Sequence, residues 1–339
     1  MGTPTSQFSY ELPPVAIAQQ PIDPRDASRL LDVDDLSDHR FSDLPAMLSP
    51  GDVVVVNRSR VRAARLLGSK TGGGGRVEAL LLRPLSGDRW QAIVRPARRL
   101  RPGSALDFGA IKAIIETTPQ DGLVEISLKS DEPLEDVIAA TGTIPLPPYI
   151  HQELDDPERY QTIFARTVGS AAAPTAGLHF TTGVVEALLA RSIPVVEIEL
   201  IVGLDTFRPI SAASIEDHQI HSESMSIPDE AAQTINGRSG DLVAVGTTVI
   251  RALESLATSD GTVEARNIDT RLYITPGYGF KVVDRLITNF HLPETSLIVL
   301  VAAFMGERWR LAYETALGRG YRFASFGDAM IATRAGGSS

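Results

Sequence analysis

The sequence predicts an α/β domain interrupted by an inserted β-domain, and three observations carry that prediction. A continuous apolar strand, Asp52–Asn57 (DVVVVN), stands before a stretch of short strand-like runs with no helix between them. Beyond residue 150 the hydrophobic period changes, and strands alternate with helices. The charge of the chain changes sign over the same stretch.

The apolar run at Asp52–Asn57 suits a strand buried on both faces. The strand-like runs that follow are Val77–Leu82, Trp90–Val94, Ile111–Thr117 and Leu123–Leu128. Turn-formers separate them at Thr71–Gly75, Ser86–Asp88, Arg101–Ser104 and Pro119–Gly122. Short strands so spaced predict a small β-barrel or sandwich. The glycine run Gly72–Gly75 reads as a flexible hairpin tip rather than a phosphate cradle. The prolines Pro145, Pro147 and Pro148 end this domain. Next, Thr182 is placed to cap a helix through about Arg191, followed by a buried strand at Val195–Val202. Asp229–Asn236 reads as a helix, Leu242–Val245 as a strand and Thr248–Thr258 as a helix. Arg271–Thr275 and Ser296–Ala303 are further apolar stretches, and Arg308–Leu317 is a helix ended by Gly318. The expected boundaries are residues 1–57 with 151–339 for the discontinuous α/β domain and 58–150 for the insert.

Composition narrows the chemistry. The 339 residues include no cysteine, which removes disulfides, thiolate nucleophiles and Cys-ligated metals, and suits a reducing cytoplasm. The longest strongly apolar run, Leu297–Met305, is too short to span a bilayer, and no signal-peptide pattern opens the chain. A cytoplasmic location without membrane contact is therefore expected. The net charge is −10, yet residues 58–101 hold twelve basic residues against only Glu78 and Asp88, a local +10. The remainder, with 20 basic and 40 acidic residues, is −20. Such a field attracts phosphate backbones, and it also makes ion pairs with acids elsewhere. Both readings stand for Arg58, Arg60, Arg62, Arg65, Arg95, Arg98, Arg99 and Arg101, the candidate nucleic-acid contacts.

Four polar segments fall at junctions where α/β folds carry their sites. In Ala173–Phe180, small residues let a ligand approach at Pro174, Thr175 and Gly177. His179 there suits either acid/base work or a structural hydrogen bond. In Ile215–Glu223, His218 and His221 stand three apart, but no third histidine and no HExxH pattern supports a metal site. Acid/base work by His221 or Glu223 fits better. Gly246, Thr247 and Thr248 open a helix carrying Arg251 and Glu254, which suits an anion or an ordinary capped helix start. Thr288–Ser296 packs Asn289, Phe290, His291 and Glu294 around a proline turn. Together these segments point to an enzyme with a polar cleft and name no reaction.

The same segments, in this order, resemble the S-adenosylmethionine:tRNA ribosyltransferase-isomerases of queuosine biosynthesis. The resemblance begins at Phe8–Leu31 and continues through IPLPPYI (Ile144–Ile150), AAPTAGLHF (Ala172–Phe180) and IEDHQIHSE (Ile215–Glu223). It extends to VAVGTT (Val243–Thr248), LITNFHLPETSL (Leu286–Leu297) and YRFASFGDAM (Tyr321–Met330). It implies a mixed-sheet α/β domain with an inserted small β-barrel, and the use of S-adenosylmethionine as ribosyl donor. The acceptor it implies is the aminomethyl group of 7-aminomethyl-7-deazaguanine at the tRNA wobble position. The product is epoxyqueuosine, with adenine and methionine released and no metal required. The resulting acid/base candidates are His179, His221 and His291, with Glu223 and Glu294 as alternatives. Substrate contacts are expected from Pro174, Thr175, Gly177, Gly246, Thr247, Thr248, Arg251, Asn289 and Phe290. A monomer that binds tRNA through its basic insert is expected.

Two departures fall in one loop. Where the family reads LHVGxGTFxPV, this chain has Ile201 in place of the histidine and Asp205 in place of a glycine. The family's N-(D/N)-T-R-V-x-P-A-R becomes Asn57–Arg65. These changes keep two alternatives in view: a paralogue acting on a small molecule, and a tRNA- or nucleotide-binding homologue without catalysis.

Overall fold

The computed structural model describes residues 2–120, 122–203, 209–220 and 222–336. The chain forms two compact units, residues 1–60 with 147–339, and residues 61–146.

The larger unit is built on a nine-stranded mixed sheet. Across the sheet the strands run Asn267–Thr270, Glu223–Ser226, Val195–Leu200, Val53–Asn57, Leu242–Val245, Arg285–Asn289, Ala329–Thr333, Arg29–Asp32 and Asp38–Arg40. The four strands from Val195–Leu200 to Arg285–Asn289 pair in parallel. Every residue of Val53–Asn57 is buried, as a strand covered on both faces requires. Alternation of side chains across the pleat sends Val53 and Val55 into one core cluster and Val54 and Val56 into the other. The helices Asp229–Asn236, Thr247–Ser255, Ser296–Met305 and Arg308–Gly318 contribute to the first cluster, and Thr182–Ala190 to the second.

Local departures from expectation have simple causes. The helix after His179 is capped by Thr181, whose Oγ1 accepts from the Val184 N–H; Thr182 is the first helical residue. The helix expected over Thr248–Thr258 spans Thr247–Ser255. The apolar stretch Arg271–Thr275 is irregular, and the strand lies just before it at Asn267–Thr270. Arg285–Asn289, inside a motif dense in polar residues, is a buried strand of the main sheet.

The smaller unit is a closed antiparallel barrel in the order Leu123–Lys129, Arg89–Arg95, Arg76–Pro84, Arg65–Lys70, Ala105–Asp107 and Lys112–Ile115. The choice between barrel and sandwich is decided by the short Ala105–Asp107 strand, which pairs with both Arg65–Lys70 and Lys112–Ile115. Strict alternation along Arg89–Arg95 and Leu123–Lys129 points Trp90, Ala92, Val94, Val124, Ile126 and Leu128 inward. Gly72 and Gly74 have positive φ at an exposed hairpin tip, where only glycine is unstrained.

Candidate active site

Parallel strands deliver their carboxyl ends to one edge of the sheet, where α/β folds hold ligands. Here those ends carry Ile201–Gly203, Asn57, Gly246–Thr248 and Asn289–His291. Among the described residues, one cavity opens beside Gly246–Thr248 and another beside Asn289–His291, and Leu297 lines both.

The first is a narrow cleft that opens to solvent. Gly203, His218, Glu223, Thr247, Thr248, Arg251 and Tyr273 line it. Gly246, at φ +93°, turns the chain so that the Thr247–Ser255 helix starts at the cavity without a side-chain cap. One turn on, Arg251 is buried. Its Nε donates to the Leu272 carbonyl at 3.0 Å and its Nη1 donates to Glu223. The other oxygen of Glu223 accepts from the Gly203 N–H at 2.9 Å. Three polar atoms in this lining are buried without a hydrogen-bond partner among the described residues: Arg251 Nη2, Thr248 Oγ1 and the Tyr273 hydroxyl. Burial, with the charge of Glu216 adding to it, pushes the Tyr273 phenol up to about 12, so it is a donor at neutral pH. Glu254, on the same helix, serves the fold instead, accepting from the backbone N–H groups of Lys281, Val282 and Val283.

The second cavity is lined by Tyr149, Thr175, Asn289, His291, Thr295 and Ser325. Its polar groups are tied to one another. The Asn289 amide nitrogen donates to the Asp328 carbonyl at 3.3 Å, and its oxygen accepts from Thr175 Oγ1 at 2.9 Å. With the amide so oriented, the same nitrogen donates to His179 Nε2 at 3.0 Å. The proton of the ring therefore sits on Nδ1 and donates to Ser28 Oγ at 2.7 Å. Burial, reinforced by the charges of Arg322 and Arg25, lowers His179 to about 3, and the ring stacks on Phe41. With both nitrogens occupied, His179 holds Asn289 in place. His291 differs: Nε2 meets Thr288 Oγ1 at 2.9 Å, and the residue itself lines the cavity. Burial lowers it to about 3 as well, which keeps the ring neutral at physiological pH. The phenol of Tyr149, raised by burial, meets Ser325 Oγ at 2.7 Å.

The remaining expected site residues divide clearly. Phe290 is fully buried against Tyr313, Tyr321 and Phe323 and lines neither cavity; its place is in the core. Pro174 and Gly177 lie buried beside Thr175 without lining either cavity, and a Cβ on Gly177 would come within 3.1 Å of Thr162. Glu294 adopts φ +57° in the loop before the Ser296–Met305 helix and also lines neither. His221 and Asp205 lie outside the described residues. Ile201 lines neither cavity; its N–H donates to the Ser224 carbonyl and its side chain packs over Gly169. Tyr149, Tyr273 and Ser325 escaped the residue-by-residue reading, although Tyr149 and Ser325 stand inside IPLPPYI and YRFASFGDAM.

The basic residues also divide. Arg58 pairs with Glu199, Arg60 with Glu158, Arg62 with Glu135 and Arg65 with Glu78. Arg95, Arg98, Arg99 and Arg101 are exposed and make no ion pair among the described residues.

A family model described as "Queuosine biosynthesis protein" matches residues 5–332. The chain belongs to the queuosine biosynthesis protein family. Among its curated relatives is the S-adenosylmethionine:tRNA ribosyltransferase-isomerase of Symbiobacterium thermophilum, 48% identical, with 96% of this chain and 98% of the relative covered. The enzyme of the same name from Moorella thermoacetica is also 48% identical over the same shares. A crystal structure of S-adenosylmethionine tRNA ribosyltransferase from Thermotoga maritima is 33% identical, covers 96% of this chain and all of that one, and superposes with a TM-score of 0.54. Family membership agrees with an α/β domain carrying an inserted barrel. Among the described residues, no helix is long and apolar enough to cross a membrane.

Proposed function

We propose that this member of the queuosine family transfers the ribosyl moiety of S-adenosylmethionine to 7-aminomethyl-7-deazaguanine at the tRNA wobble position and isomerises it. The products are epoxyqueuosine, adenine and methionine. The observation that carries the reading is the pair of adjoining cavities at the carboxyl ends of the parallel strands. Much of their lining comes from the segments Ala172–Phe180, Ile215–Glu223, Val243–Thr248 and Leu286–Leu297, and relatives bearing that enzyme name match over nearly the whole chain.

The chemistry asks little of the protein beyond placement and proton transfer. A sulfonium acidifies its neighbouring 5′ carbon, so a positioned base removes a proton there. Adenine leaves the ribose and takes up a proton, and the aminomethyl nitrogen bonds to the ribosyl carbon. The furanose then opens at C1′, and the 5′ carbanion closes onto C1′ to form the cyclopentane. The freed ring oxygen on C4′ displaces methionine from C5′ to close the epoxide, the sulfur leaving as a neutral thioether. His291 fits the proton-handling role, with a neutral ring in the cavity lining anchored by Thr288. Tyr149 supplies a phenol that stays protonated. His179 acts through Asn289 as a positioning residue. The unpaired arginines Arg95, Arg98, Arg99 and Arg101 are the surface we assign to the tRNA backbone, in a cytoplasmic enzyme.

The test is incubation with S-adenosylmethionine, with and without tRNA carrying the deazaguanine precursor, following adenine by mass spectrometry. Adenine release that requires the tRNA is the expected result. Release indifferent to tRNA would transfer the reaction to a small-molecule acceptor, and no release would leave a binding protein.

A further inference from the structure

Buried polar atoms in folded proteins are almost always hydrogen-bonded, so their exceptions call for an explanation. Among the described residues eight buried side-chain polar atoms lack a partner, and three of them, Arg251 Nη2, Thr248 Oγ1 and the Tyr273 hydroxyl, line the one cavity. All three are donors. The Thr247–Ser255 helix begins at the same place, with no side-chain cap and no acidic residue in its first turn. A helix start of this kind favours negative charge. Arg251 is only 9% exposed, so its free N–H groups have little water to compensate them. A Glu223 carboxylate lies immediately beside the guanidinium, with its own oxygens able to accept further donors.

We infer that this cavity is the subsite for the methionyl end of the donor, with the ligand carboxylate held by Arg251, Thr248 and Tyr273 and the ligand ammonium by Glu223. The assignment rests on the reading of S-adenosylmethionine as substrate and adds where one end of it binds. The ligand's two charges match the Arg251–Glu223 pair in order: carboxylate toward the guanidinium and helix start, ammonium toward Glu223. A neutral or wholly anionic ligand would leave either the donors or the carboxylate without a counterpart. Leu297, shared by both cavities, then lies between the methionyl end and the cavity of Asn289 and His291, where the ribosyl carbon reacts.

The test uses the intact chain and isothermal titration with three ligands: S-adenosylmethionine, decarboxylated S-adenosylmethionine and 5′-methylthioadenosine. Decarboxylation removes the carboxylate and keeps the sulfonium and ammonium. It is expected to weaken binding by about ten- to a hundredfold, the worth of a buried charge-assisted hydrogen-bond set. Methylthioadenosine, which lacks the whole amino-acid end, is expected to bind more weakly still. Thr248→Val and Tyr273→Phe each delete one unpaired hydroxyl at nearly unchanged shape. Each is expected to weaken S-adenosylmethionine several-fold while leaving decarboxylated S-adenosylmethionine nearly unaffected. Equal affinity of the unaltered chain for the carboxylated and decarboxylated ligands overturns the subsite, and so does an equal loss for both ligands in the two variants. The ligand series on the unaltered chain decides the matter even if a variant fails to fold. A chain that releases adenine normally but shows no carboxylate preference keeps the reaction and loses the subsite. One that binds no S-adenosylmethionine at all loses both.

Discussion

The two cavities at the carboxyl edge of the sheet are built on opposite plans. Around Asn289 the donors and acceptors are spent on each other, through Asp328, Thr175, His179 and Ser28, so the amide is fixed before any ligand arrives. Around Arg251 the donors are held in position but left unsatisfied. The first plan positions reacting groups, since orientation lost to solvent motion costs rate. The second stores binding capacity, because a ligand acceptor that meets an unpaired buried donor removes its desolvation cost. Satisfied networks thus point to positioning, and buried orphans to contact.

The sharpest way to break this contrast is at Arg251. Arg251→Met leaves Glu223 buried opposite no cation, and chemical denaturation should register a loss of roughly 3–5 kcal/mol. Adenine release should vanish with it. Combining Arg251→Met with Glu223→Leu should restore much of the stability without restoring S-adenosylmethionine binding, separating the fold's need for the pair from the ligand's. Next in size, His291→Ala should lower kcat for adenine release by about a hundredfold or more, the usual worth of a general acid or base. Its affinity for S-adenosylmethionine should change little, because the methionyl end lies in the other cavity. A variant with full turnover would remove His291 from the chemistry.

The two buried histidines make a third prediction, in pH. Both rings stay neutral in the folded chain down to about pH 3, whereas the unfolded chain protonates them below the ordinary 6.5. The unfolded state then binds more protons, so stability is full above pH 6.5 and is lost as pH falls toward 3. Urea denaturation should show a loss of roughly 2 kcal/mol per histidine between pH 6.5 and pH 5. His179→Gln should flatten that slope by about half; an unchanged slope would mean the ring is not held neutral. The smallest effect lies in the barrel. Arg98→Ser with Arg99→Ser should reduce the dependence of tRNA affinity on salt by roughly two phosphate contacts, measured by fluorescence anisotropy across salt concentrations. Arg60→Ser, which removes a residue already paired with Glu158, should change it less.

Much of the architecture could be read from local pattern. The buried Val53–Asn57 strand, the shift from two-residue to helical period, and the Asp229–Asn236 and Leu242–Val245 elements all occur where periodicity places them. Arg285–Asn289 escaped that reading because it is buried by neighbours distant in sequence: the Asn289 amide bonds His179 and Asp328, and Thr288 lies opposite Met330 on the next strand. The cap moved from Thr182 to Thr181 because both residues are threonine, and only the backbone turn decides which hydroxyl meets the Val184 N–H. The +10 segment was legible as a charge count, but not as two groups of arginines, one paired with acids and one without an ion pair among the described residues.

By itself, then, the sequence determined the classes of the two units, the order of the polar segments, the absence of thiols and the family resemblance. These follow from residue type and near-neighbour spacing. Tertiary structure alone decided that His179 supports Asn289 while His291 lines a cavity, and that Phe290 is core. It also gathered Thr248, Arg251 and Tyr273 around one space with their donors unspent. The physical reason is that hydrogen-bond satisfaction and burial depend on contacts between residues far apart in the chain, which no local pattern encodes.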